Sequence, residues 1–256
     1  MGVLLRELKD GVLTLTLNRP EAINALTTEM LRELGRAFAK EAPAPEVRVV
    51  VLRGAGRGFC SGQDLREFEG QSLSYKGHLR NYRSVVEGIA ALEKPVLAAI
   101  HGAAAGAGLS LALACDLRVA AADALFTTGF SKIGLIPDAG MNYYLPRLVG
   151  YARAYELAVL SPRLKAEEAL ALGLVNRVVP VEAFEQEVAR LAAELAQGPT
   201  KTYGLIKRAL RHSAGATLEE VLEYEALLQE VAGRTQDHKE GVQAFYEKRP
   251  ARFQGR

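Results

Sequence analysis

Three short segments combine residue types that could do chemistry. The first, Phe59 to Leu65 (FCSGQDL), follows a glycine-rich turn at Gly54 to Gly58. A backbone N–H freed at such a turn can donate to a ligand, although an ordinary glycine-containing loop has the same composition. The second, His101 to Ser110 (HGAAAGAGLS), passes through small residues into an apolar run. Small side chains let a substrate approach the backbone, and a helix starting there would offer free N–H groups and a positive dipole end. Tight helix–sheet packing would call for the same residues, while a dinucleotide fingerprint fails because Leu111 stands where GxGxxG needs glycine. The third segment, Ser131 to Gly140, carries Asp138, the only carboxylate between Asp123 and Glu156. A carboxylate in apolar surroundings acquires a raised pKa, which suits a general base. An aspartate directly before a helix can equally serve as its N-cap.

The elements that must position these segments follow from periodicity. Residues 12–17 (VLTLTL) alternate as a half-buried strand does, and Pro20 ends the run. Thr27 can cap a helix whose apolar positions are Met30, Leu31, Leu34 and Phe38. A β-branched strand is expected over 47–52, a polar surface loop over 69–77, and a helix over 78–92. Strand 95–101, helix 106–115 and strand 116–120 continue a strand–helix alternation that argues for an α/β arrangement with buried strands. Beyond residue 139 the pattern is almost wholly helical, with a short strand near Val178 and helices near 151–160, 182–197, 200–212, 217–232 and 236–247. In the helix near 217–232, Val221, Tyr224, Leu228 and Val231 form one apolar stripe that needs a cover.

Bulk composition narrows the class. The 256 residues carry 32 Lys and Arg against 30 Asp and Glu, a formal net charge of +2, so no strong field for nucleic acid or membrane is expected. Cys60 and Cys115 lie in apolar stretches without metal-ligand spacing and read as buried, reduced thiols of a cytoplasmic protein. His78, His101, His212 and His238 are scattered, so no metal site is expected. The N-terminus lacks the apolar core of a signal peptide. The uncharged stretch Pro95 to Cys115 reads as strand, turn and helix rather than a membrane span.

Taken in order, LTLNRPEAINAL, RGFCSGQDL, KPVLAAIHGAAAGAGLSLALACDLRVA, FSKIGLIPDAG and FYEKRPARF resemble the crotonase (enoyl-CoA hydratase/isomerase) family along essentially the whole chain. The resemblance implies an α/β fold of the ClpP/crotonase-like kind, with ββα units forming two near-perpendicular sheets. It also implies a core over 1–195 and a helical trimerisation region over 196–256, assembled as a homotrimer or a hexamer of paired trimers. The ligand would be an acyl-CoA thioester, with no cofactor beyond the coenzyme A of the substrate. By the same likeness, the N–H groups of Gln63 and Ala107 would form an oxyanion hole. Ala22, Ile23, Ser61, Asp64, Leu65, Gly106 and Phe130 would contact substrate or CoA, and Lys248 would reach its phosphates. The two glutamates with which hydratases of the family handle water correspond here to Ser110 and Phe130. Asp138 is then the single catalytic carboxylate, which suggests isomerisation. The PDAG variant and the C-terminal stretch most resemble the branch that converts ring-epoxidised phenylacetyl-CoA to its oxepin. A Δ3,Δ2-enoyl-CoA isomerase is the close alternative, and a hydratase the more distant one. A catalytically silent acyl-CoA- or RNA-binding relative is the alternative from another class, disfavoured by Asp138 and by the near-neutral charge.

Overall fold

The computed structural model describes residues 2–70 and 74–256. A six-stranded sheet runs in the order β1 (Leu4–Lys9), β2 (Val12–Leu17), β3 (Val49–Gly54), β4 (Val96–Ile100), β6 (Leu117–Ala121), β9 (Arg177–Val179). Only the β1–β2 hairpin is antiparallel; the remaining pairs are parallel. A second sheet joins β5 (Ala103–Ala105), β7 (Leu125–Thr127) and β8 (Leu164–Lys165). β5, β7 and β8 did not show in the sequence pattern, since two or three residues are too short a window for a period of two. β1 did not show either, because this edge strand is exposed from Leu5 to Lys9 and so lacks a buried face to alternate with.

Side-chain alternation sorts the parallel strands between two cores. Val50, Leu52, Val96, Ala98, Ile100 and Ala120 join the main core with helices α1 (Thr28–Arg36), α2 (Tyr75–Ala91) and α3 (Ala107–Ala114). Val49, Val51, Leu97, Ala99, Val119 and Ala121 face the opposite way, against Phe184, Val188 and Leu191 of helix α7 (Phe184–Gln197). Apolar cover on both faces is what a parallel sheet requires, and it explains why β4 is buried at every position. As expected, Thr27 caps α1 by accepting from Met30 N–H at 3.2 Å. Cys60 and Cys115 are free and buried. The expected loop over 69–77 is shorter: Tyr75 already begins α2, and positions 71–73 lie outside the described residues.

Helices α4 (Met141–Val149), α5 (Tyr151–Leu160) and α6 (Ala166–Ala171) precede β9, and α8 (Thr200–Ser213), α9 (Leu218–Gly233) and α10 (Gln236–Glu247) follow α7. Helix α8 is bonded into the core, with Lys207 Nζ at 2.7 Å from both the Ile89 carbonyl and the Asp116 carboxylate. The expected stripe of α9 is only partly covered: Leu228 is buried, whereas Val231 remains 39% exposed. A second apolar set on α9, Leu218, Leu222 and Leu227, is exposed, as are Phe245 and Tyr246 on α10. Among the described residues no helix is long and apolar enough to cross a membrane.

Candidate active site

The first two chemistry-bearing segments meet because backbone bonds join them. Cys60 N–H donates to Ala103 O, and Ala105 N–H donates to Cys60 O, both at 2.9 Å. Helix α3 then starts hard against the same residue: a Cβ at Gly108 would stand 2.6 Å from Cys60 O and 2.7 Å from its Sγ, so only glycine fits. Close packing and site construction are therefore the same feature. Gly62, at φ +100°, turns the chain beside the start of α3, where its Cβ position would lie 3.5 Å from Ala107 N. Neither Gln63 N–H nor Ala107 N–H donates to a protein acceptor among the described residues. The Ala107 group is free because it opens a helix, the Gln63 group because its neighbours take the bonds of the bridge to Leu26. Both residues line a cavity of about 420 Å³.

Asp138 lines that cavity too, and it is the one carboxylate among the lining residues. It is not a helix cap. Helix α4 starts after Gly140, which offers no side-chain cap, and the left-handed pair Ala139 (φ +49°) and Gly140 (φ +87°) turns the chain between Asp138 and the helix. A non-glycine residue in that region costs about 1–3 kcal/mol, strain of the kind that gathers at functional sites. The carbonyl of Asp138 is held by Met141 N–H and by Ser110 Oγ, each at 2.9 Å. Its Oδ1 is buried with no hydrogen-bond partner, and burial pushes the carboxyl up to about 6.

Of the other expected contacts, Ser61, Leu65, Gly106 and Phe130 line the cavity. Ala22 and Ile23 do not; they brace Ser61 from outside, Ala22 O accepting from Ser61 Oγ at 3.0 Å and Ile23 O from its N–H at 2.9 Å. The Asp64 side chain is committed elsewhere, held by Arg66 at 3.0 Å and Arg19 at 2.9 Å. Chiefly the Arg66 hydrogen bond, then that of Arg19, lowers its carboxyl to about 2. Lys248, exposed at the left-handed end of α10, is not among the cavity-lining residues. The sequence reading missed Phe68, Tyr75, His78 and Tyr82, which supply an aromatic wall. His78 and Tyr82 are four apart on α2, which places them on one face; that spacing was the available signal. His78 packs edge-on to Phe68 at 4.7 Å and to Tyr82 at 5.4 Å between ring centroids.

The family profile described as enoyl-CoA hydratase/isomerase matches residues 7–256. The chain is 42% identical to the 1,2-epoxyphenylacetyl-CoA isomerase of Escherichia coli K12, over 100% of both chains. It is 44% identical to a Rhodobacter capsulatus protein named "Probable enoyl-CoA hydratase", over 98% of this chain and 97% of that one. The crystal structure of enoyl-CoA hydratase from Bacillus anthracis superposes with a TM-score of 0.95 at 34% identity, covering 100% of each chain. Paired N–H groups beside a lone carboxylate, carried on this fold over this length, lead to one conclusion: the chain is an enzyme of the enoyl-CoA hydratase/isomerase, or crotonase, family, which acts on acyl-CoA thioesters.

Proposed function

We propose that the chain is an acyl-CoA isomerase whose substrate is 2-(1,2-epoxyphenyl)acetyl-CoA, converted to its oxepin in phenylacetate breakdown. The carrying observation is Asp138, a lone, unpaired, half-buried carboxylate in a cavity with aromatic walls. The thioester carbonyl would accept from Gln63 N–H and Ala107 N–H, which stabilise the negative charge that develops on its oxygen. The carbon–carbon bond shared by the epoxide and the six-membered ring would break, its electrons passing into the double bonds of the oxepin. Asp138 would take a proton from the carbon beside the thioester and return it to another position of the acyl group, so no atom is gained or lost overall. Phe68, Tyr75, His78, Tyr82 and Phe130 suit a flat ring as the acyl group. The Escherichia coli relative carries that activity in its name.

A hydratase reading, favoured by the name of the Rhodobacter relative, lacks its groups here. Water addition by the family's route needs a pair of carboxylates. Ser110 Oγ instead donates to the Asp138 carbonyl, and Phe130 has no polar side-chain atom. With a panel of acyl-CoA thioesters, turnover is expected to be highest on the ring epoxide and measurable on a 3-enoyl-CoA. On crotonyl-CoA, hydration should be at least about a hundredfold slower, the contribution of one general acid–base group. Hydration as fast as isomerisation would overturn the proposal. Robust double-bond shifting without epoxide turnover would leave a Δ3,Δ2-enoyl-CoA isomerase.

The exposed apolar residues of α9 and α10 support an assembly role for residues 196–256, around a core spanning 1–195. A trimer or hexamer is expected at micromolar concentration by light scattering. A monomer would remove that role, and with it any delivery of Lys248 to a neighbouring subunit's substrate.

A further inference from the structure

Asp138 Oδ1 is buried without a partner although a tyrosine, a histidine and a glutamine line the same cavity. Their donors are consumed by one another. The Tyr82 hydroxyl donates to Gln63 Oε1 at 2.5 Å, and His78 Nε2 meets the same oxygen at 3.0 Å. Gln63 Nε2 donates to Glu67 Oε2 and to Asp64 O, both at 3.3 Å. Glu67 is itself fixed by Thr28 N–H, at 2.9 and 3.0 Å from its two oxygens. An amide oxygen only accepts, so His78 Nε2 must carry its hydrogen, and the Tyr82 hydrogen is committed to the same atom. The opposite amide orientation would set the amide oxygen against the Glu67 carboxylate and the Asp64 carbonyl, with no hydrogen between them.

This side-chain network is not needed to place the Gln63 N–H. The backbone on either side is already held by Leu26 N–H to Gly62 O at 2.7 Å and Asp64 N–H to Leu26 O at 2.9 Å. A side chain joining four partners, on a residue whose backbone is fixed without it, calls for another role.

We propose that the Gln63 side chain is a donor sink: a positioning residue that engages the Tyr82 hydroxyl and the His78 N–H, so that Asp138 stays unpaired and able to take a proton. The inference rests on Asp138 being the acid–base group. A phenol or imidazole N–H bonded to a carboxylate, directly or through one water, stabilises its charged form and makes it a weaker base. The titratable groups that line the cavity with Asp138 are Tyr75, His78 and Tyr82 on α2, and Cys60 and Glu67 are the further ones whose charge, with that of Asp138, acts on Tyr82. Burial is the one cause of the Asp138 shift, with no charged neighbour contributing. Burial also lowers His78 and raises Tyr82 and Cys60, so near neutral pH these neighbours are uncharged donors.

The test removes the sink and keeps the backbone N–H. In Gln63→Leu, the Asp138 titration is expected to fall by about one pH unit, as a new hydrogen bond to the carboxylate requires. It would be followed by infrared difference spectroscopy of the ligand-free protein, with Asp138→Asn as the subtraction blank, and in parallel by the acid limb of kcat/KM. In Gln63→Leu/Tyr82→Phe, which lacks the freed phenol, most of that fall should be recovered. Should Gln63→Leu not fold, Gln63→Met serves, since it fills the space without an acceptor of comparable strength. An unmoved carboxyl titration in the folded single variant would overturn the proposal, and so would a double variant that stays low. If the titration moves as expected while Asp138→Asn retains turnover, the donor sink stands and the assignment of Asp138 as the base fails.

Discussion

Replacing Asp138 with asparagine is expected to leave a folded protein that still binds acyl-CoA but turns it over about 10²–10⁴-fold more slowly, the range of a lost general acid–base group. Asparagine is nearly isosteric and keeps the backbone bonds of Asp138 O to Met141 N–H and Ser110 Oγ. It cannot accept the proton. Near-normal turnover in the folded variant would remove the proposed base, and no other carboxylate lines the cavity among the described residues.

Stability should change in the opposite direction. The folded carboxyl sits at about 6 against an ordinary value of 3.8, so between those pH values the folded state binds more protons than the unfolded one. Wild-type stability therefore falls as pH rises through that window and stays reduced above it. The amide of Asp138→Asn does not titrate, so the variant is expected to be more stable than the wild type near neutral pH by about 1–2 kcal/mol. That lies below the ~3 kcal/mol of the whole shift because part of the side chain meets solvent. Thermal melts across pH check this: the difference should disappear below about pH 4, and a gap that stays constant with pH would contradict it.

Replacing Ala107 with proline is expected to lower turnover by about 10²–10³-fold, because it deletes one of the two donors proposed for the thioester oxygen. Ala107 is the first residue of α3, a position where proline is well tolerated because its N–H has no helical acceptor. Loss of activity with an intact fold is therefore the expected combination, to be checked by circular dichroism alongside the assay. Gln63→Ala should cost far less, since its N–H survives and the Leu26 bridge still holds it in place. Equal losses in the two variants would show that the Gln63 side chain, not its backbone, carries the catalytic contribution. Activity in Ala107→Pro near that of the wild type would remove Ala107 from the oxyanion hole.

The sequence alone determined the local parts of this molecule. Alternation in VLTLTL, the apolar runs of β3 and β4, and the Thr27 cap are set by neighbours a few residues away, and all are present in the fold. Glycine and alanine around residue 106 marked a close approach, because small side chains have few other physical reasons to cluster between a strand and a helix. Asp138 stood out for the same kind of reason, as the only carboxylate between Asp123 and Glu156. Only the tertiary structure decided what these parts do together. Asp138 looked equally like a helix cap until the turn at Ala139 and Gly140 separated it from α4 and left its Oδ1 unpartnered. Asp64 gave no sign along the chain that its carboxylate is held by Arg19, 45 positions earlier, which leaves any ligand contact to its backbone. The aromatic wall was legible only as the shared helix face of His78 and Tyr82, because they reach Gln63 only when α2 packs across the loop that carries it. Hydrogen bonds between residues 15 and 19 positions apart leave no periodic trace along the chain. What the Gln63 side chain contacts, and therefore what it withholds from Asp138, is settled by packing rather than by residue order.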